Sequence, residues 1–183
     1  MIISSQKFHV NGLSYTVRSA MEQDAEDLSE IRLRIDGETE HLDREPGEAF
    51  IDAPGFKQII KTDTENDRNL FLVAAVDDRI VGFSRCEGTL LKRFSHKAEF
   101  GICILKDYWG YGIGRNLLKA SVAWADSGDI TKITLHVLET NVKAIELYKQ
   151  FGFEIEGILK KDRILSDGQY YGTIVMGRFN GKI

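Results

Sequence analysis

Two cysteines and two prolines in 183 residues are the first constraints on this chain. Cys86 and Cys103 have neither a CxxC spacing nor an accompanying histidine cluster, so they read as reduced thiols in apolar strands, not as a disulfide framework or a zinc site. The histidines His9, His41, His96 and His136 show no ligand spacing, and no metal is expected. Positive charge is not in excess either: 24 Lys and Arg against 28 Asp and Glu give a net charge of −4. That balance removes the broad basic field of a nucleic-acid binder but leaves room for a local cationic patch. No apolar run approaches the roughly 20 residues that span a bilayer. The start, Met1-Ile-Ile-Ser-Ser-Gln-Lys, lacks the apolar core of a signal peptide, so a cytoplasmic protein with no membrane partner is the default expectation.

What remains is the composition of an ordinary globular domain, 43% hydrophobic and 28% charged. A chain of this length buries roughly 70% of its unfolded surface without staples. No repeat or linker interrupts it, so residues 1–183 are expected to form a single domain, in which 1–12 either fray or add an edge strand through Phe8 and Val10.

Strand and helix signals alternate along the middle of the chain. A β-type run at 14–18 precedes a helical segment from Met21 to Ile35, whose apolar face holds Ala25, Leu28, Ile31 and Ile35. From Gly37 to Pro54 the chain is acidic and turn-rich, and Phe56, Ile59 and Ile60 then suggest a short helix. Its carboxylates read as a solvated connection or as a lid that attracts a cationic amine. Leu70–Val76 and Arg79–Cys86 flank Asp77-Asp78 as a hairpin, and a strand covers about 97–105. A helix from Ile113 stops near Gly128, a strand holds Ile133, Leu135 and Val137, and a helix capped by Asn141 ends at Gly152. Strands at 153–159 and Tyr170–Phe179 close the chain around a hairpin marked by Gly168.

The most informative stretch is Gly101 to Leu118, where a strand enters a glycine-rich turn that opens a helix. Gly110, Gly112 and Gly114 allow positive φ values and close approach of a ligand, while the first N–H groups of the helix have no intrahelical partner. With the helix dipole, such donors suit a pyrophosphate. A nucleotide-triphosphate loop would need Gly-Lys and then Ser or Thr, but Arg115 and Asn116 follow Gly114. A dinucleotide fingerprint would need a third glycine at Arg115 or Leu117, so neither frame completes it.

Further along, Asn141, Ala144, Tyr148, Gly152 and Phe153 complete Asn-x-x-Ala-x-x-x-Tyr-x-x-x-Gly-Phe. Together with Gly112-Ile113-Gly114, this pattern resembles the GNAT superfamily of acetyl-CoA-dependent N-acetyltransferases over about 14–178. The resemblance implies a mixed α/β fold, with a central, mostly antiparallel sheet of about seven strands flanked by about four helices. It implies acetyl-CoA as co-substrate and transfer of its acetyl group to a primary amine of a small molecule or peptide, by direct attack in a ternary complex. The family's tyrosine near the CoA sulfur corresponds to Tyr148, the expected general acid. Its carboxylate near the acceptor corresponds to Glu99, the candidate base, acting directly or through a water. Ile102 and Ile104 are expected to meet the pantetheine through main-chain groups. Trp109, Gly110, Tyr111, Gly112, Ile113, Gly114 and Arg115 would form the pyrophosphate turn, and Asn141 a side-chain contact.

Two departures stand out: Trp109 occupies the place of an Arg or Gln, and Lys106 that of a proline. Lys106 and Arg115 restore positive charge locally. Trp109, with the role of Glu99, also motivates a rival reading, a catalytically silent CoA-sensing or protein-interaction module. Exposed edge strands would allow a homodimer.

Overall fold

The computed structural model describes residues 2–181. Its strands are β1 (Gln6–Val10), β2 (Leu13–Ser19), β3 (Leu70–Val76), β4 (Arg79–Gly88), β5 (Lys97–Ile104), β6 (Lys132–Leu138), β7 (Glu154–Ile164) and β8 (Tyr170–Phe179). They form one sheet in the order β1-β2-β3-β4-β5-β6-β8-β7. Every neighbouring pair is antiparallel except β5 with β6. The helices are α1 (Ala25–Glu38), α2 (Ala53–Glu65), α3 (Ile113–Ser127) and α4 (Val142–Gln150). The mixed α/β class is as expected. The sheet has eight strands where about seven were expected, because the first residues add β1 at an edge, where Phe8 stacks on Tyr15 at 5.4 Å.

Successive strand residues point to opposite faces of a sheet, which places the helices. Arg85 reaches Asp63 of α2, whereas its neighbour Cys86 interacts with Ser121 of α3. Cys103 meets Arg32 of α1, whereas Ile102 and Ile104 pack against Gly114 of α3. Thus α1 and α2 cover one face and α3 the other. The fully buried Leu28, Leu70, Leu72, Leu117, Leu118 and Ile133 lie in the two resulting layers.

Three boundaries differ from the pattern of the sequence. Helix α1 begins at Ala25 because the Asp24 carboxylate accepts from Met21 N and from Arg18, folding residues 22–24 into a tight 3-10 turn. Helix α2 is a full 13 residues, since Asp52 caps it through Gly55 N at 2.8 Å and Pro54 lies in its first turn. Strand β7 runs on to Ile164: the charged run Lys160-Lys161-Asp162 is a bulge, with Lys161 at φ 54°, after which pairing with β8 resumes at Arg163.

Candidate functional site

Parallel pairing of β5 with β6 stops early. Only Lys97, Ala98 and Glu99 have partners on β6, namely Lys132, Ile133 and Thr134, and beyond Glu99 the two strands separate. On its other side β5 stays paired with β4 as far as Ile104. Leu105 N donates to Val81 O at 3.0 Å, so by the alternation of an antiparallel ladder Cys103 and Gly101 also turn their main-chain groups toward β4. Those of Ile102 and Ile104 turn the other way, into the gap. A sheet whose interior strand exposes unpaired N–H and C=O groups in this way offers a strand-like ligand an edge to join.

A cavity of about 960 Å³ runs through the gap. On the α3 side it is lined by Ile104, Trp109, Gly110, Gly112, Gly114 and Arg115, with Asn141 and Ala144 of the α4 start. Gly110 and Gly112 take φ of 88° and 75°, the left-handed region that glycine tolerates best. Gly112 is the N-cap of α3 and has no side chain to cap it, and Asn116 N to Gly112 O is the first helical bond. The N–H groups of Ile113, Gly114 and Arg115 therefore face outward at the positive end of a 15-residue helix. A Cβ on Gly114 would stand 3.2 Å from Ile104 Cδ1, so this glycine lets the helix start settle onto β5. The turn is braced from outside: Asn11 Nδ2 donates to Gly110 O, Asn116 Nδ2 donates to Tyr15 Oη, and Lys106 N donates to Glu38 Oε2. Such a cradle fits a diphosphate.

Of the residues singled out from the sequence, all but Tyr111 line this cavity. Tyr148 sits on the buried face of α4, with its ring against Phe100 at 6.3 Å and Phe153 at 5.8 Å. Its hydroxyl makes no hydrogen bond among the described residues and opens on the cavity. Burial, with a smaller contribution from the nearby Cys103 thiol, pushes its pKa up to about 12. Glu99 lies at the point where β5 and β6 part, well exposed, and its Oε1 is 3.2 Å from His136 Nδ1. Neither Lys97 nor Arg85 pairs with it; the Arg85 guanidinium is taken by Asp63 and Glu87. Asn141 Oδ1 accepts from Ala144 N at 3.3 Å, so it caps α4 while facing the cavity. Trp109 does something its position in the sequence could not announce. Its Nε1 donates to Ile104 O at 2.9 Å, taking one of the main-chain groups that point into the gap, and its ring stacks on His41.

The opposite mouth, on the α1–α2 side, was largely invisible in the sequence. Arg32, Arg44, Phe56, Phe71, Phe83 and Cys103 line it. Arg32 occupies the core-facing stripe of α1, four residues after Leu28, and a cation in an apolar stripe was the available signal. His41 also lines the cavity; burial lowers its pKa, and its Nδ1 is buried without a partner. Both cysteines are buried free thiols, pushed up to about 12 for Cys86 and about 11 for Cys103 by desolvation. Among the described residues no cluster of His, Cys, Asp and Glu could hold a metal, and no helix is long and apolar enough to cross a membrane.

The comparisons with known proteins agree with this geometry. The profile described as the acetyltransferase (GNAT) family matches residues 31–153. L-amino acid N-acetyltransferase AaaT of Escherichia coli K12 is 33% identical over 132 residues, covering 72% of this chain and 73% of that protein. Spermidine N(1)-acetyltransferase of Vibrio cholerae is 29% identical over 107 residues, 58% of this chain and 60% of its own. Among solved structures, a GNAT-family acetyltransferase from Streptococcus pneumoniae superimposes with a TM-score of 0.87 at 26% identity, over 90% of this chain and 99% of that one. From the open strand pair, the glycine turn at the start of α3 and this match together, the chain belongs to the GNAT family of acetyltransferases.

Proposed function

We propose that this protein transfers the acetyl group of acetyl-CoA directly to a primary amine, both substrates being held in the one cavity at the same time. The observation that carries the reading is one cavity with two mouths: the glycine turn with its outward N–H groups on the α3 side, side chains of α1 and α2 on the other, and Tyr148 in its lining. The pantetheine arm would run along Ile102 and Ile104, using the main-chain groups of Ile102 and the N–H of Ile104, whose carbonyl Trp109 occupies, with the diphosphate on the N–H groups of Ile113 to Arg115. Arg115, whose guanidinium lies 5.4 Å over the Phe151 ring, supplies charge at the cradle's edge.

Attack needs an amine without its proton. Deprotonating a lysine-like amine at pH 7 costs about 4 to 5 kcal/mol, and an α-amine only about 1. Glu99 with His136 offers an acceptor for that proton, directly or through one water. Tyr148 serves the departing sulfur. A phenol with a pKa of about 12 keeps its proton at neutral pH and donates a hydrogen bond to the thiolate as charge builds on it.

A thiol-release assay with acetyl-CoA and a panel of primary amines tests this reading. Turnover on at least one amine is expected, and Tyr148→Phe should lower kcat by about 100-fold or more while leaving the acceptor KM nearly unchanged. Firm acetyl-CoA binding without turnover on any amine would favour a CoA-sensing module instead.

A further inference from the structure

The comparisons leave the acceptor divided between amino acids and polyamines, and the α1–α2 mouth of the cavity separates the two. We propose that Arg32 anchors a carboxylate of the acceptor, so that the amine substrate is an amino acid with an apolar side chain and not a polyamine; this rests on the transferase reading above.

The Arg32 side chain is 18% exposed, and what it exposes faces the cavity. Its Nε donates to Asp36 Oδ2 at 2.9 Å and its Nη1 to Cys103 Sγ at 3.2 Å. The hydrogen bonds of the fork run from Nε and Nη1 and leave Nη2 to the cavity, and a thiol is a weak acceptor. Asp36 thus fixes the orientation of the fork by one edge while its outer end keeps donors for a second carboxylate. A half-buried guanidinium is suited to bidentate capture of such a group. Cys103, which Arg32 touches, lines the same cavity as Tyr148, so the anchor opens on the space that holds the reacting centre.

The remaining charges argue the same way. Most carboxylates of the acidic stretch from Glu38 to Asp52 are occupied elsewhere. Glu38 accepts from Arg34 and Lys106 N, Glu40 from Ser166 N, Glu48 from Glu45 N, and Asp52 caps α2. Asp43 does line the cavity but is paired with Arg163 at 2.7 Å, and Glu99 stands beside His136. A polyamine needs spaced, uncompensated carboxylates for its second and third ammonium groups, and here it would meet Arg32 and Arg44. An apolar side chain finds a matched wall. Phe56, Phe71 and Phe83 pack with ring centroids 5.8 to 6.4 Å apart along the same mouth.

The test compares acceptors that differ in one group. With saturating acetyl-CoA, thiol release is followed for L-leucine and L-phenylalanine, for their carboxamides, and for spermidine. A charge-assisted contact predicts that kcat/KM for the acids exceeds that for the amides by roughly 10- to 100-fold, with spermidine below both. Arg32→Gln should collapse this preference toward unity, and Arg32→Lys, which keeps the charge but not the fork, should retain part of it. Amides that react as fast as acids, spermidine as the best acceptor, or a preference that survives Arg32→Gln would each overturn the proposal and leave the transferase reading standing. No turnover with any amine would overturn both. The acid–amide comparison uses the unaltered protein, so it decides the matter even if an Arg32 variant fails to fold.

Discussion

On the α3 side the cavity presents the main chain of one short segment, Gly110 to Arg115, while on the α1–α2 side it presents side chains of Arg32, Phe56, Phe71, Phe83 and Cys103 from five separate elements. On the proposed reading the first wall holds a diphosphate through N–H groups that any residue carries, provided that glycine permits the turn. The second recognises whatever its side chains match, and most of those side chains also belong to the buried core. On the proposed reading the contrast gives donor and acceptor different kinds of recognition: the donor meets backbone geometry, and the acceptor meets side chains on a rigid frame.

Breaking the backbone wall should have the largest effect. Gly112→Val puts a β-branched residue at φ 75°, a strain of about 1 to 3 kcal/mol that the turn can relieve only by moving its donors. Acetyl-CoA binding measured by calorimetry should weaken by roughly 10- to 100-fold. Unchanged affinity would mean that the turn does not hold the diphosphate.

The two buried thiols probe the side-chain wall and the core behind it through pH. Their pKa values are raised on folding, to about 12 for Cys86 and about 11 for Cys103, so between pH 9 and those values the unfolded chain releases protons that the folded one keeps. Stability is therefore full below about pH 9 and falls as pH rises, by on the order of 2 kcal/mol per thiol at pH 10.5. Thermal midpoints between pH 8 and 10.5 should decline, and Cys86→Ala should flatten part of the decline. An unchanged slope in that variant would assign the lability to other groups.

Trp109 gives the smallest expected effect and tests where the two walls meet. Trp109→Phe removes the donor to Ile104 O and returns that carbonyl to the gap while keeping an aromatic ring against His41. Acetyl-CoA affinity should change by only a few-fold, because a partly exposed neutral hydrogen bond is worth about 1 kcal/mol. A loss as large as that expected for Gly112→Val would make the indole part of the cradle itself.

How much of this was legible in advance follows the same division. The hairpin at Asp77-Asp78, the cap at Asn141, the stop at Gly128 and the glycine turn are encoded by neighbours in the chain, and each lies where its residues place it. The extension of β7 past Lys161 was not legible, because a bulge is recognised by the partner strand that resumes pairing beyond it. Nor was the pairing of Glu99 with His136, 37 residues apart, or the use of Trp109 to bind Ile104 O.

Local spacing alone therefore determined the class of fold, the turn at the start of α3 and the tyrosine on α4, because turns, caps and helix faces depend on residues within a few positions of one another. Only the tertiary structure decided that β5 parts from β6 after Glu99, that the acidic segment spends Glu38, Glu40 and Asp43 on the distant Lys106, Ser166 and Arg163, and that Arg32 faces the cavity. Those outcomes depend on which distant groups pair first with which charges. No periodicity in the chain records that competition.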